Sequence, residues 1–137
     1  MAEQEELDKK QQEIFFKLSM FEQQIQALQQ QLQAVEEGAI DLQTLNFGLD
    51  DLKGGTGKEI LAPMGRGIFV KAKLLSEDLI VDVGGRNFVG KSIDETKKII
   101  EEQMEKLDKV KREFNEKLSS LDSELARTIE EAQEQNN

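Results

Sequence analysis

The residue types that most often carry enzyme chemistry are missing from this chain. Its 137 residues include no cysteine and no histidine. This composition excludes a disulfide, a zinc site of thiolates and imidazoles, a cysteine nucleophile and a histidine general base. Any chemistry would depend on carboxylates, lysine, arginine, serine and threonine. We therefore expect a protein that is not an enzyme and that has neither a metal site nor a cofactor.

The glycine-rich run Gly54-Gly55-Thr56-Gly57-Lys58 is the segment that most resembles a phosphate-binding loop. A Walker A loop needs a glycine five residues before its Gly-Lys pair and a serine or threonine after the lysine. This chain has Leu52 and Glu59 at those positions. A phosphate loop also follows a strand and opens a helix, whereas this run follows a helical pattern and precedes a strand pattern. The run therefore predicts a turn.

The acidic residues are concentrated in the two ends of the chain, which has a formal charge of −10. Residues 1–53 carry 11 acidic and 4 basic side chains, and residues 92–137 carry 13 and 8, whereas residues 54–91 carry 4 and 6. Pairs such as Glu101-Glu102 and Glu130-Glu131 could in principle ligate a metal, but on charged helices they are typical of solvated faces. A chain this acidic also has no broad basic face for nucleic acid.

A seven-residue repeat of apolar side chains organises the first end of the chain. The repeat and a second row four residues behind it form the d and a positions of a coiled-coil seam. We predict one helix over residues 3–52, ended by the glycine-rich run. The d positions are Leu7, Ile14, Phe21, Leu28, Val35, Leu42 and Leu49, and the a positions are Leu18, Ile25, Leu32 and Ala39.

The last end repeats the pattern, and we predict a second helix over residues 93–134. Ser92 and Glu95 fit a capping box at its start. Lys111 is a polar interruption at an a position. Because neither helix can bury its stripe alone, we expect the two to pair as an antiparallel coiled-coil hairpin. The d positions are Ile93, Ile100, Leu107, Phe114 and Leu121, and the a positions are Met104, Leu118, Leu125 and Ala132.

Between the helices the apolar period changes from 3.5 residues to 2, which indicates strands. We predict strands over residues 59–62, 68–74, 79–83 and 87–90, arranged as two β-hairpins within residues 59–91. The fold class is therefore α+β, a single subunit over residues 1–137. Its hairpins are expected at the end of the coiled coil opposite the chain termini.

The hairpins are too small to be stable alone, and their outer strands leave unpaired backbone groups. Closing hairpins from several copies into an oligomeric β-barrel body would remove those edges. The residues we expect to serve oligomerisation are Ile60, Ile68, Phe69, Val70, Leu79, Val81 and Phe88.

Three apolar residues near the first terminus fall outside the seam. Phe15, Phe16 and Met20 occupy e, f and c positions, so this stretch is apolar around most of the helix. One interpretation is packing on a neighbouring subunit or on the end of the second helix. The other is an exposed patch that grips non-native chains. The residues expected in that patch are Ile14, Phe15, Phe16, Met20, Leu125 and Ile129.

The segment Met1-Ala2-Glu3-Gln4-Glu5-Glu6 has neither a basic start nor an apolar h-region, so we expect no signal peptide. No apolar run approaches the roughly 20 residues that a bilayer-spanning helix needs. We expect a cytoplasmic protein.

The segment from Leu61 to Ala72 resembles the proline-glycine turn and central strand of the alpha class of prefoldin subunits, and Val81-Asp82-Val83-Gly84-Gly85 resembles that class's second hairpin. Ala62 stands where valine is common before the proline, and the helices match only as coiled coil. The resemblance implies a hexamer with two alpha-type and four beta-type subunits. Its coiled-coil tips would hold unfolded polypeptides and deliver them to a group II chaperonin without ATP.

Two other interpretations remain open at this point. One is a structural relative that assembles into filaments or tethers partners without binding clients. The other is an enzyme-modulating hairpin of the transcript-cleavage-factor kind, which presents paired acids at a loop. The second is less compatible with this sequence, because here the free tip should be formed by the chain ends.

Overall fold

The computed structural model describes residues 2–136, with side chains described as far as residue 134. Along the chain, four strands lie between two helices, which confirms the α+β class and both predicted helices. The helices end within two residues of their predicted bounds. The elements are α1 (Ala2–Leu52), β1 (Glu59–Gly65), β2 (Ile68–Lys73), β3 (Leu79–Asp82), β4 (Phe88–Lys91) and α2 (Ile93–Asn136).

The chain divides into two compact units, the first of which is a pure helix pair. It contains the residues up to Gly38 and those from Leu107 onward. The seam positions predicted from the heptads are half-buried from Ile14 onward, whereas Leu7 is exposed. The Lys111 ammonium lies 3.7 Å from a Glu36 carboxylate oxygen, so the polar a position is paired across the helices. Two residues further along α1, a Cβ at Gly38 would lie 3.7 Å from the side chain of Leu107, which precedes Lys111 on α2. The two helices therefore run antiparallel within this unit.

The second unit, Ala39–Lys106, contains the β segment and the adjoining helix ends. Leu49, Ile93 and Ile100 are its buried apolar side chains, and Leu42, Leu52, Leu79 and Met104 pack against them. Burying such a side chain stabilises a fold by about 1.5–3 kcal/mol. This small core joins the end of α1 to the start of α2 and to β3.

Local hydrogen bonds cap the helix ends in this unit. At the start of α2 the Glu95 amide donates to the Ser92 hydroxyl at 3.1 Å, which is the cap predicted from the sequence. At the end of α1 the Gly55 amide donates to the Leu52 carbonyl at 3.0 Å. Gly54 has a φ of 70°, a left-handed conformation that glycine adopts without a steric penalty.

The strands form two separate antiparallel pairs, β1 with β2 and β3 with β4. Residues 74–78 therefore connect two sheets. The strand β1 continues through Pro63 to Gly65, beyond its predicted end at residue 62, and the pairing shifts register between Pro63 and Gly65. Proline is compatible with this position because each strand of a two-stranded sheet is an edge strand.

The two hairpin turns hold arginine in the left-handed region, with φ values of 52° at Arg66 and 61° at Arg86. Each arginine lies beside a glycine that also has positive φ. Within residues 2–136, neither helix contains an apolar stretch long enough to cross a membrane.

Candidate functional site

The glycine-rich run has no free set of amides to offer a phosphate. Four of its five backbone N–H groups donate to acceptors within the protein, one of them the Glu77 carboxylate. The run therefore ties the end of α1 to the connection between the two hairpins. The other bonds run from Gly55 to Leu52 at 3.0 Å, from Gly57 to Leu74 at 2.7 Å and from Lys58 to Gly55 at 2.9 Å.

Acidic side chains do not gather into a metal-binding group in the part of the chain that the structure describes. The Glu101-Glu102 and Glu130-Glu131 side chains are exposed on α2. Their arrangement fits the solvated helix faces expected from the charge pattern.

The off-seam patch, which we define as Phe15, Phe16 and Met20, lies on the outside of α1 in the first unit. The exposed fractions of these side chains are 76%, 65% and 42%. Ile14, their neighbour in the chain, is half-buried in the seam. Most of the aromatic surface here therefore has no partner within the subunit, and packing against α2 does not account for it.

The second helix adds one exposed apolar residue at the same end of the unit. Ile129 is 41% exposed, whereas Leu125 is half-buried at its seam position. Thr128, between them, is buried, and its hydroxyl donates to the Glu124 carbonyl at 2.9 Å. Of the two α2 residues expected in the patch, Ile129 presents the larger free surface.

The surroundings of the off-seam patch are polar and shallow. Two open depressions flank the phenylalanine rings, and residues from a single helix line both of them. Lys9, Glu13 and Lys17 border one side. A surface without a deep cavity cannot select a small ligand by shape, but it can accept apolar segments of varied sequence.

The first hairpin has one uniformly apolar face and one mixed face, because side chains alternate along a strand. Ile60, Ala62 and Ala72 on the apolar face are half-buried, and Ile68 and Val70 on that face are exposed. The mixed face carries Glu59, Leu61, Pro63, Phe69, Lys71 and Lys73. Of the residues expected to serve oligomerisation, Phe69 lies on the opposite face from Ile60, Ile68 and Val70.

The second hairpin divides its expected oligomerisation residues in a similar way. Leu79 and Val81 are half-buried, and Leu79 packs on the core of its own unit. Phe88, which is exposed, lies on the other face beside Ile80 and Asp82. The free apolar surface of this hairpin is therefore centred on Ile80 and Phe88, and Ile80 was not among the expected residues.

A further apolar surface on α1 escaped the sequence analysis. Ile40 and Phe47 are 62% and 63% exposed, and Leu45 is also exposed. Between Leu45 and Phe47, the seam residue Asn46 has a buried side-chain oxygen without a hydrogen-bond partner in the described part of the chain. The signal was present in the heptad register, since these three apolar residues occupy b and g positions.

Known proteins resemble this chain in sequence and in fold. The profile of the Prefoldin family, described as "Prefoldin subunit", matches residues 21–137. A solved structure described as filamentous PFD from Methanocaldococcus jannaschii has a TM-score of 0.75 and 23% sequence identity. It covers 84% of this chain and 97% of the other, and it supports the fold.

Curated relatives named prefoldin subunit alpha come from several archaea. The Pyrococcus horikoshii protein is 27% identical over 130 residues, which are 93% of this chain and 88% of the relative. The Methanococcus maripaludis protein is 31% identical over 102 residues, 74% of this chain and 69% of the relative. The Methanosphaera stadtmanae protein is 32% identical over 84 residues, and this chain covers 61% of its length, less than two thirds.

Proposed function

Because this chain belongs to the prefoldin family, we propose that it is a subunit of an ATP-independent chaperone that holds unfolded polypeptides. Its clients would bind at the end of the helix pair that carries both chain termini, and the holding step would involve no catalysis. Binding by apolar contact needs no bond to be made or broken, and this composition supplies no cysteine or histidine to make one.

The exposed off-seam patch is the observation that carries this proposal. Two phenylalanines and a methionine are exposed within residues 15–20 of a helix whose seam positions are half-buried from Ile14 onward. Phenylalanine and methionine supply large contact areas, and the flexible thioether adapts to irregular partners. An unfolded chain exposes apolar segments of many sequences, which such a surface can bind without a fixed shape.

Assembly would place several such ends around one client. Each hairpin has free strand edges, and pairing them with hairpins of other subunits would satisfy their backbone groups. We propose beta-type prefoldin subunits as partners, in a hexamer of two alpha-type and four beta-type chains, with a group II chaperonin receiving the client in the cytoplasm. Several weak contacts on one assembly give the tight overall hold that a single patch lacks.

The proposal is tested by replacing Phe15, Phe16 and Met20 together with serine. We expect the variant, assembled with a beta-type subunit, to need roughly tenfold more protein to suppress aggregation of an unfolded client, a change equivalent to about 1.4 kcal/mol of binding free energy. The mass of the assembly should not change, because the patch is outside the hairpins.

The matched control replaces Gln23, Gln26 and Gln30 with serine, since these exposed residues of α1 lose at least as much helix propensity without losing apolar surface. Undiminished suppression by the patch variant would remove the patch from the client site. A parent protein that assembles but suppresses no aggregation would favour a scaffold or filament role without client transfer.

A further inference from the structure

A second apolar surface on α1 lies in the unit that contains the hairpins, away from the off-seam patch in the sequence. We define the outer stripe as Ile40, Thr44, Leu45, Phe47 and Gly48, all exposed. On a helix of 3.6 residues per turn, Ile40 and Phe47 form one rim, Leu45 forms the other, and Thr44 and Gly48 lie between them. The stripe therefore has large apolar side chains along both sides and two small residues, Thr44 and Gly48, between them.

The glycine in the outer stripe has no structural reason within the subunit. A Cβ at Gly48 would meet no atom within 4 Å. Glycine in a helix interior destabilises it by about 1 kcal/mol relative to alanine. The close approach of another chain would account for a glycine at this position.

Acidic side chains border the outer stripe at both ends. Asp41 and Asp51 are exposed and form no ion pair within the described residues. Ten residues of helix separate them by about 15 Å. A partner for this surface should therefore be apolar in the middle and basic at two points about that far apart.

The mixed face of the first hairpin has these properties. Leu61, Pro63 and Phe69 form its apolar middle, and Arg66 lies at the turn. Lys71 lies toward the other end, where Lys73 and Glu59 form the last pair of the same face. Five residues of extended chain place Arg66 up to about 17 Å from Lys71. Both cations lack an ion pair in the described chain. The spacing and sign of the charges match those of the outer stripe.

We propose that the outer stripe of one copy of this chain docks on the mixed face of the β1–β2 hairpin of a second copy, and that the contact is reciprocal. A two-fold pair would then use each surface twice. This leaves the uniformly apolar face of the hairpin free to line a barrel. The inference rests on the proposed function only in expecting the hairpins to assemble.

Charge exchange tests this contact in the full-length chain. One variant carries Asp41→Lys and Asp51→Lys, and the other carries Arg66→Glu and Lys71→Glu. We expect the parent to self-associate in analytical ultracentrifugation, and each variant alone to show a dissociation constant about tenfold higher. An equimolar mixture of the two should recover the parent's association, because opposite charges again face each other in both contacts.

The control carries Glu102→Lys and Glu105→Lys, which change the net charge equally at exposed positions of α2, and circular dichroism verifies the helix content of every variant. A monomeric parent at about 100 μM, variants that associate like the parent, or a mixture that fails to recover association would overturn the proposal. Recovery in the mixture, together with a parent that suppresses no aggregation, would support this contact while rejecting the chaperone function.

Discussion

Single side chains fix the junction between the two helices of the second unit. Asp50 pairs with Lys97 and lies 3.7 Å from Lys53, whose ammonium is 3.0 Å from Asp94. The hydrogen bond from Lys97 is the main cause that lowers the pKa of Asp50 below its ordinary value of 3.8. The bond to Asp94 raises the pKa of Lys53 above 10.5. Asp50 and Lys53 therefore remain charged near neutral pH.

The sign of the Asp50 shift gives a pH prediction. A carboxylate whose folded pKa is depressed stabilises the fold above its unfolded pKa and loses that contribution as pH falls through the folded value. We expect Asp50→Asn to lower the thermal midpoint at pH 7, with a small effect because the group is exposed. The difference from the parent should shrink once the pH falls below about 4. A constant difference from pH 7 to pH 2 would contradict this role for Asp50.

At the scale of elements, glycines in α1 can be sorted by what surrounds them. A Cβ at Gly38 would lie 3.7 Å from Leu107 Cδ1, an ordinary contact, and one at Gly48 would meet open space. Neither position needs glycine for helix packing within the subunit. Both glycines therefore weaken α1 without a compensating contact inside the chain.

We expect Gly38→Ala and Gly48→Ala each to raise the free energy of unfolding by about 0.5–1 kcal/mol. Denaturant unfolding, at protein concentrations low enough to keep the chain monomeric, measures this free energy. If the outer stripe docks as proposed, Gly48→Ala should in addition weaken self-association, whereas Gly38→Ala should not. Destabilisation of the subunit by Gly48→Ala would show that its surroundings are tighter than the structure indicates.

The sequence predicted the elements well because their patterns are local. Seven-residue spacing indicated both helices, Ser92 marked the start of α2, and glycine clusters separated the strands. The off-seam patch was visible because Phe15 and Phe16 fall outside the a and d positions. The heptad register thus carried information about exposed residues as well as the seam.

What the sequence analysis missed depends on tertiary contacts. The half-burial of Leu79 follows from its packing on Leu49, Ile93 and Ile100, which lie far from it in the chain. The b positions of Ile40 and Phe47 predict exposure only if the a and d positions of α1 pair with α2, which the structure shows. The extension of β1 through Pro63 depended on pairing with Phe69, which strand propensity alone does not predict.

At the scale of the whole molecule, different parts of one chain are proposed to make different contacts. The seam joins the helices, whereas the hairpins and the outer stripe would contact other subunits and the off-seam patch would contact clients. Buried apolar side chains in the described residues are limited to Leu49, Ile93 and Ile100. We expect a subunit with so small a core to gain stability from assembly, since binding partners stabilise the folded state that they bind.

Site-specific photo-crosslinking in the presence of an unfolded client tests most directly whether the off-seam patch and the outer stripe contact different partners. A photo-reactive phenylalanine analogue replaces Phe16 in one preparation and Phe47 in another, in the assembled protein. Both positions are exposed on α1, at 65% and 63%, so access to the probe is matched. We expect client adducts from position 16 and adducts to a second copy from position 47. Client adducts from position 47 with none from position 16 would contradict this expectation.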